Sequence, residues 1–164
     1  MQLRPATPDD APAISALIHG HLGELTISGT SAGAGRFLEF VTSSAIRGYL
    51  ESPQFRYAVA SADGALAGVV AVRNGTHLYH LFVQPQWQRQ GLGRRLWAHA
   101  REALIEADAS VLTVNSSVHA VPVYQAFGFE VHGPRVEQHG VAFIPMRLLV
   151  PPAPTDPPTP ETAP

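Results

Sequence analysis

Cysteine is absent from the 164 residues, which excludes a disulfide framework, a thiolate metal site and an acyl-cysteine intermediate. Any acyl transfer by this chain must use another nucleophile or run directly from donor to acceptor. Charge is also scarce: 11 Lys and Arg stand against 13 Asp and Glu, a formal net charge of −2. That balance gives no sign of a nucleic-acid or membrane surface and favours a small-molecule partner, although the local pair Arg94-Arg95 survives the averaging. No apolar run approaches the roughly 20 residues that cross a bilayer. Met1-Gln2-Leu3-Arg4-Pro5 lacks a charged-then-apolar leader, so a cytoplasmic protein is the expectation. The length fits one domain with a sizeable core.

What is present reads as mixed α/β. Gln2 to Ala6 is short and extended, and Thr7-Pro8-Asp9-Asp10 supplies a helix start, with Ile14, Leu17, Ile18 and His21 on the inward face. Gly23 to Gly35 has no sustained period and is expected to be a mobile connection that suits a substrate lid or a plain surface loop. Phe37 to Leu50 restores helical spacing as two short helices, the second capped by Ser43 or Ser44. Three extended segments follow, Phe55 to Ala60, Ala65 to Val72 and His77 to Val83, joined by Asp63-Gly64 and Asn74-Gly75 as an antiparallel meander. Leu92, Leu96, Trp97, Ala100, Leu104 and Ala107 form the buried stripe of a helix. Val111 to Val114 is a buried strand ended by Asn115-Ser116-Ser117, and a helix starting close to His119 runs to Phe127. Phe129 to His132 and Val141 to Leu149 close the sheet around a connection from Pro134 to Gly140. Residues 1–150 make the domain, and 151–164, rich in Pro and Thr, read as a disordered tail.

The chain is organised around the junction after the third strand. Gln88-Arg89-Gln90-Gly91-Leu92-Gly93 leads from strand to helix, where glycine lets a ligand approach the backbone and the first helical turn has N–H groups without internal partners. The aligned peptide dipoles add roughly half a positive charge, so a diphosphate would be held by main-chain donors with Arg89, Arg94 or Arg95 beside them. The P-loop requires Lys-Ser/Thr after its last glycine, and Arg94-Arg95 stands there instead. The dinucleotide loop requires G-x-G-x-x-G, which is also missing. The spacing Gln-x-x-Gly-x-Gly resembles motif A of the GNAT superfamily of N-acetyltransferases. A second stretch, Asn115 followed by Ala120, Tyr124, Gly128 and Phe129, resembles the GNAT pattern of strand, Asn, then Ala-x-x-Tyr-x-x-x-Gly-Phe. The likeness is strong from His77 to Phe129 and topological before that.

The resemblance implies a GNAT fold: a central, mixed, mostly antiparallel twisted sheet of roughly six to seven strands flanked by helices, with a parallel crossover after the glycine loop. It also implies acetyl-CoA as cosubstrate, bound by the main chain of Leu81, Phe82 and Val83, by Gln88, Arg89, Gln90, Gly91, Leu92, Gly93 and Arg94, and by Tyr124, while Asn115 would bind the cofactor or a positioned water, or simply end its strand. No metal is expected. Tyr124 would be the general acid for the departing thiolate, a phenol being a proton donor at neutral pH. Many relatives place a glutamate on the strand before motif A. This strand carries His77, Tyr79 and His80 instead. Period-2 geometry puts His77 and Tyr79 on one face and His80 on the other, too far apart to share a metal. His77 stands near the family's glutamate, His80 is the other candidate base, and a chain of waters would also serve.

The reading is an N-acetyltransferase acting on a primary amine, small-molecule or peptide, by direct attack in a ternary complex. Two rivals remain at this level: a non-catalytic acyl-CoA-binding sensor of the same fold, and a mononucleotide-binding protein. The acceptor, the acyl length and a homodimer through the last strands stay open.

Overall fold

A computed structural model describes residues 1–106 and 108–151. Ala107, expected to end the apolar helix stripe, and residues 152–164, expected to form the Pro-rich tail, lie outside the described residues.

The chain opens with β1 (Gln2–Pro5), a 3-10 turn (Pro8–Asp10) and α1 (Ala11–His19). The Asp10 carboxylate fixes that entry, accepting the Thr7 backbone N–H at 2.7 Å and a two-point contact from Arg4 at 2.8 Å. α2 (Leu22–Leu25), α3 (Gly35–Glu39) and α4 (Ser43–Glu51) follow. The cap of α4 is Thr42, whose hydroxyl accepts the Ala45 N–H at 3.0 Å, one residue before the serines expected from sequence. Ser43 and Ser44 already lie inside the helix, where a short hydroxyl side chain cannot serve the first turn.

The meander is β2 (Phe55–Ala62), β3 (Ala65–Arg73) and β4 (His77–Val83). Both turns hold their paired residues at positive φ, Asp63 and Gly64 at 53° and 79°, Asn74 and Gly75 at 53° and 69°, matching the right-handed twist of the strands they join. α5 (Leu92–Glu106), β5 (Val111–Ser116), α6 (Val121–Ala126), β6 (Glu130–Val131), β7 (Val136–Gln138) and β8 (Val141–Leu149) complete the chain. Strand β5 runs through Asn115 and Ser116 instead of ending before them, because both pair with β8. Helix α6 starts at Val121, two residues later than expected, which seats Pro122 in the first turn.

Among the described residues the sheet has eight strands in the order β1-β2-β3-β4-β5-β8-β6, with β7 on β8, and every pairing is antiparallel except β4 with β5. The eighth strand, β7, lies inside the segment expected to be a plain connection. Its turn, His139-Gly140, has φ of 54° and 78°, a two-residue hairpin geometry that histidine disguised in the sequence.

Apolar faces follow the strand period. Ala58, Val70, Val72, Leu78, Leu112 and Val114 meet Leu92, Leu96, Trp97, Leu104, Tyr124 and Phe129 from α5, α6 and the segment after it. On the opposite face Tyr57, Val59, Val69 and Ala71 meet Ile14, Leu17, Ile18 and Ile46 from α1 and α4. Gly68 lets α5 sit tight on β3, since a Cβ there would lie 2.8 Å from Leu96 Cδ1. The start of α5, and with it the glycine loop, is therefore placed by sheet packing.

Segment 26–34, expected to be mobile, is fastened across the sheet end. Thr26 bridges to Val141, and the Ile27 N–H donates to the Gly140 carbonyl at 3.0 Å. Gly33 lies so near Gly140 that a side chain on the latter would collide with the Gly33 carbonyl.

Candidate active site

Strands β4 and β5 are paired only at His77 with Thr113 and Leu78 with Val114. Beyond Leu78 they diverge and leave a gap in the middle of the sheet. The Gln84 N–H donates to Ala67 of β3 at 2.9 Å, so strand alternation turns the Phe82 main chain toward β3 and the main-chain groups of Leu81 and Val83 toward the gap. Of the three residues expected to bind through the main chain, two face the opening and Phe82 does not; its side chain lines the cavity described below. The Val83 carbonyl is held from two sides, by His21 Nε2 at 3.1 Å and Gln88 Nε2 at 3.0 Å. His21, expected from sequence on the inward face of the first helix, is buried and thus braces the strand end.

The loop that follows leaves a helix start open. Arg89 and Gly91 both take positive φ, 59° and 84°, and the Gly91 carbonyl accepts the Arg95 N–H at 3.1 Å, so the N–H groups of Leu92, Gly93 and Arg94 form the open first turn of α5. Gln88 and Gln90 are used internally, the latter donating to the Gln86 carbonyl at 2.8 Å, and they set the loop's shape. Among the described residues Arg89, Arg94 and Arg95 form no ion pair, which leaves their charge available at that turn.

Tyr124 of α6 stacks edge-on against Phe127 and Phe129 and is only 7% exposed. Burial pushes its pKa well above the ordinary phenol value, so the hydroxyl stays protonated. It lies on the α5 face of the sheet.

The histidines lie on the other face, and both of them do. Ala71 pairs with His80 and the next residue, Val72, with Leu78, so Tyr79 is an extra residue in β4, a bulge. The expectation that His80 faces away from His77 assumed an unbroken period of two; the bulge turns His80 over. A cavity of about 250 Å³ is lined by Arg73, His77, Tyr79, His80 and Phe82, by Asn115 and Ser117 on the other lip of the gap, and by Leu25, Phe37, Phe40 and Phe143 above. His77 shares a 2.7 Å hydrogen bond with the Thr113 hydroxyl, and His80 Nδ1 meets the Tyr57 hydroxyl at 3.1 Å. Burial is the main reason both are held neutral, His77 at about 4 with Arg73 adding repulsion, and His80 at about 3 with His77 adding to it. Among the described residues no group of three His, Asp or Glu is arranged to hold a metal.

Residues 25–150 match the family described as the acetyltransferase (GNAT) domain. The chain belongs to the GNAT acetyltransferase family. A Bacillus subtilis (strain 168) protein bearing the provisional name of ribosomal-protein-bS18 alanine N-acetyltransferase is 32% identical over 92 residues, 52% of this chain and 61% of that protein's length. Solved structures share the fold: a GCN5-related N-acetyltransferase from Rhodopseudomonas palustris has a TM-score of 0.77 at 20% identity, over 91% of this chain and 95% of its own. A ribosomal-protein-alanine N-acetyltransferase from Brucella melitensis has a TM-score of 0.70 at 20% identity, over 92% and 100%. A Thermoplasma acidophilum N-acetyltransferase in complex with coenzyme A has 0.69 at 16%, over 91% and 98%.

In GNAT terms the chain places its loop and Tyr124 together and its histidines across the sheet, with the β4–β5 gap between. Sequence reasoning missed Tyr57, Arg73, Ser117 and the apolar residues of the cavity wall such as Leu25, Phe37, Phe40 and Phe143, because strand period and helix stripe mark burial without saying which face borders a space.

The two neutral histidines also set an acid limit on this GNAT fold. Above pH ~6.5, the ordinary histidine value, folded and unfolded chains are alike neutral there, and stability does not depend on them. Below it the unfolded chain takes up protons that the folded chain refuses until about pH 4 and about pH 3, so stability falls through that window. Asp10, held below the usual carboxylate range chiefly by its hydrogen bond to Arg4, adds a loss in the same direction at lower pH. The melting temperature should decline steadily from pH 6.5 to 4, and a His77→Gln/His80→Gln variant should decline less; equal slopes would refute this account.

Proposed function

We propose that the protein transfers the acetyl group of acetyl-CoA to a primary amine by direct attack in a ternary complex. The gap between β4 and β5 carries this reading, with the open first turn of α5 at one end and a half-open cavity at the other. The diphosphate would rest on the N–H groups of Leu92, Gly93 and Arg94, helped by Arg89, and the pantetheine amides on the main chain of Leu81 and Val83. The thioester then lies in the gap, where a main-chain N–H of β4 receives the oxyanion as the amine adds to the carbonyl carbon. Asn115 lies on the cavity lip and takes a place beside the acyl group.

Collapse of the adduct breaks the carbon–sulfur bond, and Tyr124, kept protonated by burial, gives its proton to the thiolate. The amine's proton leaves on the cavity side toward His77 or His80. At their depressed values both are weak bases, so they accept hydrogen bonds from the amine and pass its proton to water. No rate inflection belonging to a histidine is then expected near pH 6.5; the profile follows ionisation of the acceptor.

One observation favours the sensor reading of the same fold: among the described residues no carboxylate lines the cavity. Free-CoA release with acetyl-CoA and an amine panel separates the two. Amine-dependent release with a mass gain of one acetyl group on the amine supports the enzyme, whereas tight acetyl-CoA binding without release from any amine supports the sensor.

A further inference from the structure

We infer that the acceptor is a small, free amino acid with an apolar or aromatic side chain, its carboxylate held by Arg73. This rests on the proposed amine acetylation and narrows it to a substrate class.

Charge is the first argument. Among the described residues no Asp or Glu lines the cavity, so a polyamine or an aminoglycoside would bring two or more ammonium groups into a space without a carboxylate to neutralise them. Arg73 is instead the charged group of the lining, and among the described residues it has no ion-pair partner. Its guanidinium lies 5.2 Å from the centroid of Tyr79, a contact that fixes its direction while leaving its N–H fork free for a carboxylate. It is close enough to His77 to lower that residue's pKa, so an anion bound by Arg73 lies beside the lip where the amine must wait. An α-amino acid has its amine and carboxylate on one carbon, which suits two binding points placed so close together.

Surface chemistry is the second argument. Phe37, Phe40, Tyr79, Phe82 and Phe143 supply aromatic faces, a lining that gains from burying an apolar side chain. Size is the third. At about 250 Å³ the cavity lies below the roughly 300–1,000 Å³ of pockets that hold drug-sized ligands, enough for one amino acid and too small for an aminosugar assembly.

The carboxylate decides against the remaining class. A protein N-terminus carries a neutral amide where a free amino acid carries its carboxylate, so a peptide acceptor would leave the Arg73 charge without a partner in the lining.

The test measures binding and turnover on the full chain. Calorimetry on the CoA-loaded protein compares phenylalanine and leucine with phenethylamine, spermidine, kanamycin and a hexapeptide beginning with alanine; free-CoA release is then measured for each with acetyl-CoA. Phenylalanine or leucine should bind and turn over best, and Arg73→Gln should raise their KM at least about tenfold more than it raises that of phenethylamine, the loss of a charge-assisted contact that only a carboxylate makes. Preference for spermidine, kanamycin or the hexapeptide would overturn the substrate class and leave amine acetylation standing. Equal loss of phenylalanine and phenethylamine turnover in Arg73→Gln would overturn the role of Arg73. If CoA binds and no amine either binds or turns over, the inference and the proposed function fall together.

Discussion

Replacing Tyr124 by phenylalanine is expected to lower kcat by about 10²-fold or more, the usual scale of a lost proton donor, with acetyl-CoA affinity and melting temperature nearly unchanged. The ring accounts for the packing: it meets Phe127 and Phe129 at centroid distances of 6.1 and 5.8 Å, and phenylalanine keeps both contacts. The hydroxyl is a separate matter. Among the described residues no fully buried side-chain oxygen or nitrogen lacks a partner, yet the Tyr124 hydroxyl makes no hydrogen bond to protein, so it must reach an opening. Deleting a hydroxyl that bonds nothing in the protein costs little stability, whereas deleting the donor of a thiolate's proton slows the step that releases it. Stopped assays give kcat, calorimetry gives the affinity and a thermal scan gives the stability. Unchanged kcat removes Tyr124 from the chemistry, and a large fall in melting temperature reassigns it to the core.

The second large effect belongs to Gly91. Its φ of 84° is a region that a β-branched residue cannot occupy without strain of about 1–3 kcal/mol, and the space where a side chain would go is open. Gly91→Val therefore fails through the backbone and not through a clash. Relief of that strain must rotate the peptide between Gly91 and Leu92, which turns the first N–H groups of α5 away from a bound diphosphate. Acetyl-CoA affinity should fall by about 10²-fold, equivalent to about 2.7 kcal/mol. Gly75→Val supplies the control. Gly75 has a comparable φ of 69° but lies in the hairpin at the opposite end of β4, so its strain should lower stability and leave affinity alone. Matching losses of affinity in the two variants, or none in Gly91→Val, would show that the loop's backbone is not what holds the cosubstrate.

Much of this molecule is legible from local pattern. Asp63-Gly64 and Asn74-Gly75 announce their hairpins because those pairs tolerate positive φ at low cost, and the bounds of β4 and β8 follow from uninterrupted strand runs between turn residues. The hairpin at His139-Gly140 uses the same geometry but hides it, since histidine is an uncommon left-handed residue and Val136–Gln138 is too short and polar to read as a strand. Its pairing with β8 decides it, and that is a long-range fact.

The site divides along the same line. Gln88 to Arg94 determined its own turn, because glycine at the required φ and a helix beginning are local properties, and the spacing Ala120, Tyr124, Gly128 and Phe129 likewise placed a phenol on a short helix ahead of a buried aromatic. The face of His80 was beyond reach of sequence. One inserted residue, Tyr79, inverts every side chain after it, and a bulge is set by how β3 and β4 register against two different helix layers. The cavity is tertiary in origin for the same reason: Arg73, His77, Phe37 and Phe143 come from four separated elements, and only the packing of those elements on one face of the sheet brings them together. Short-range sterics and hydrogen bonding fixed the loop and the helix, while closure of a space depends on pairings between residues far apart in the chain, whose energies no local stretch contains.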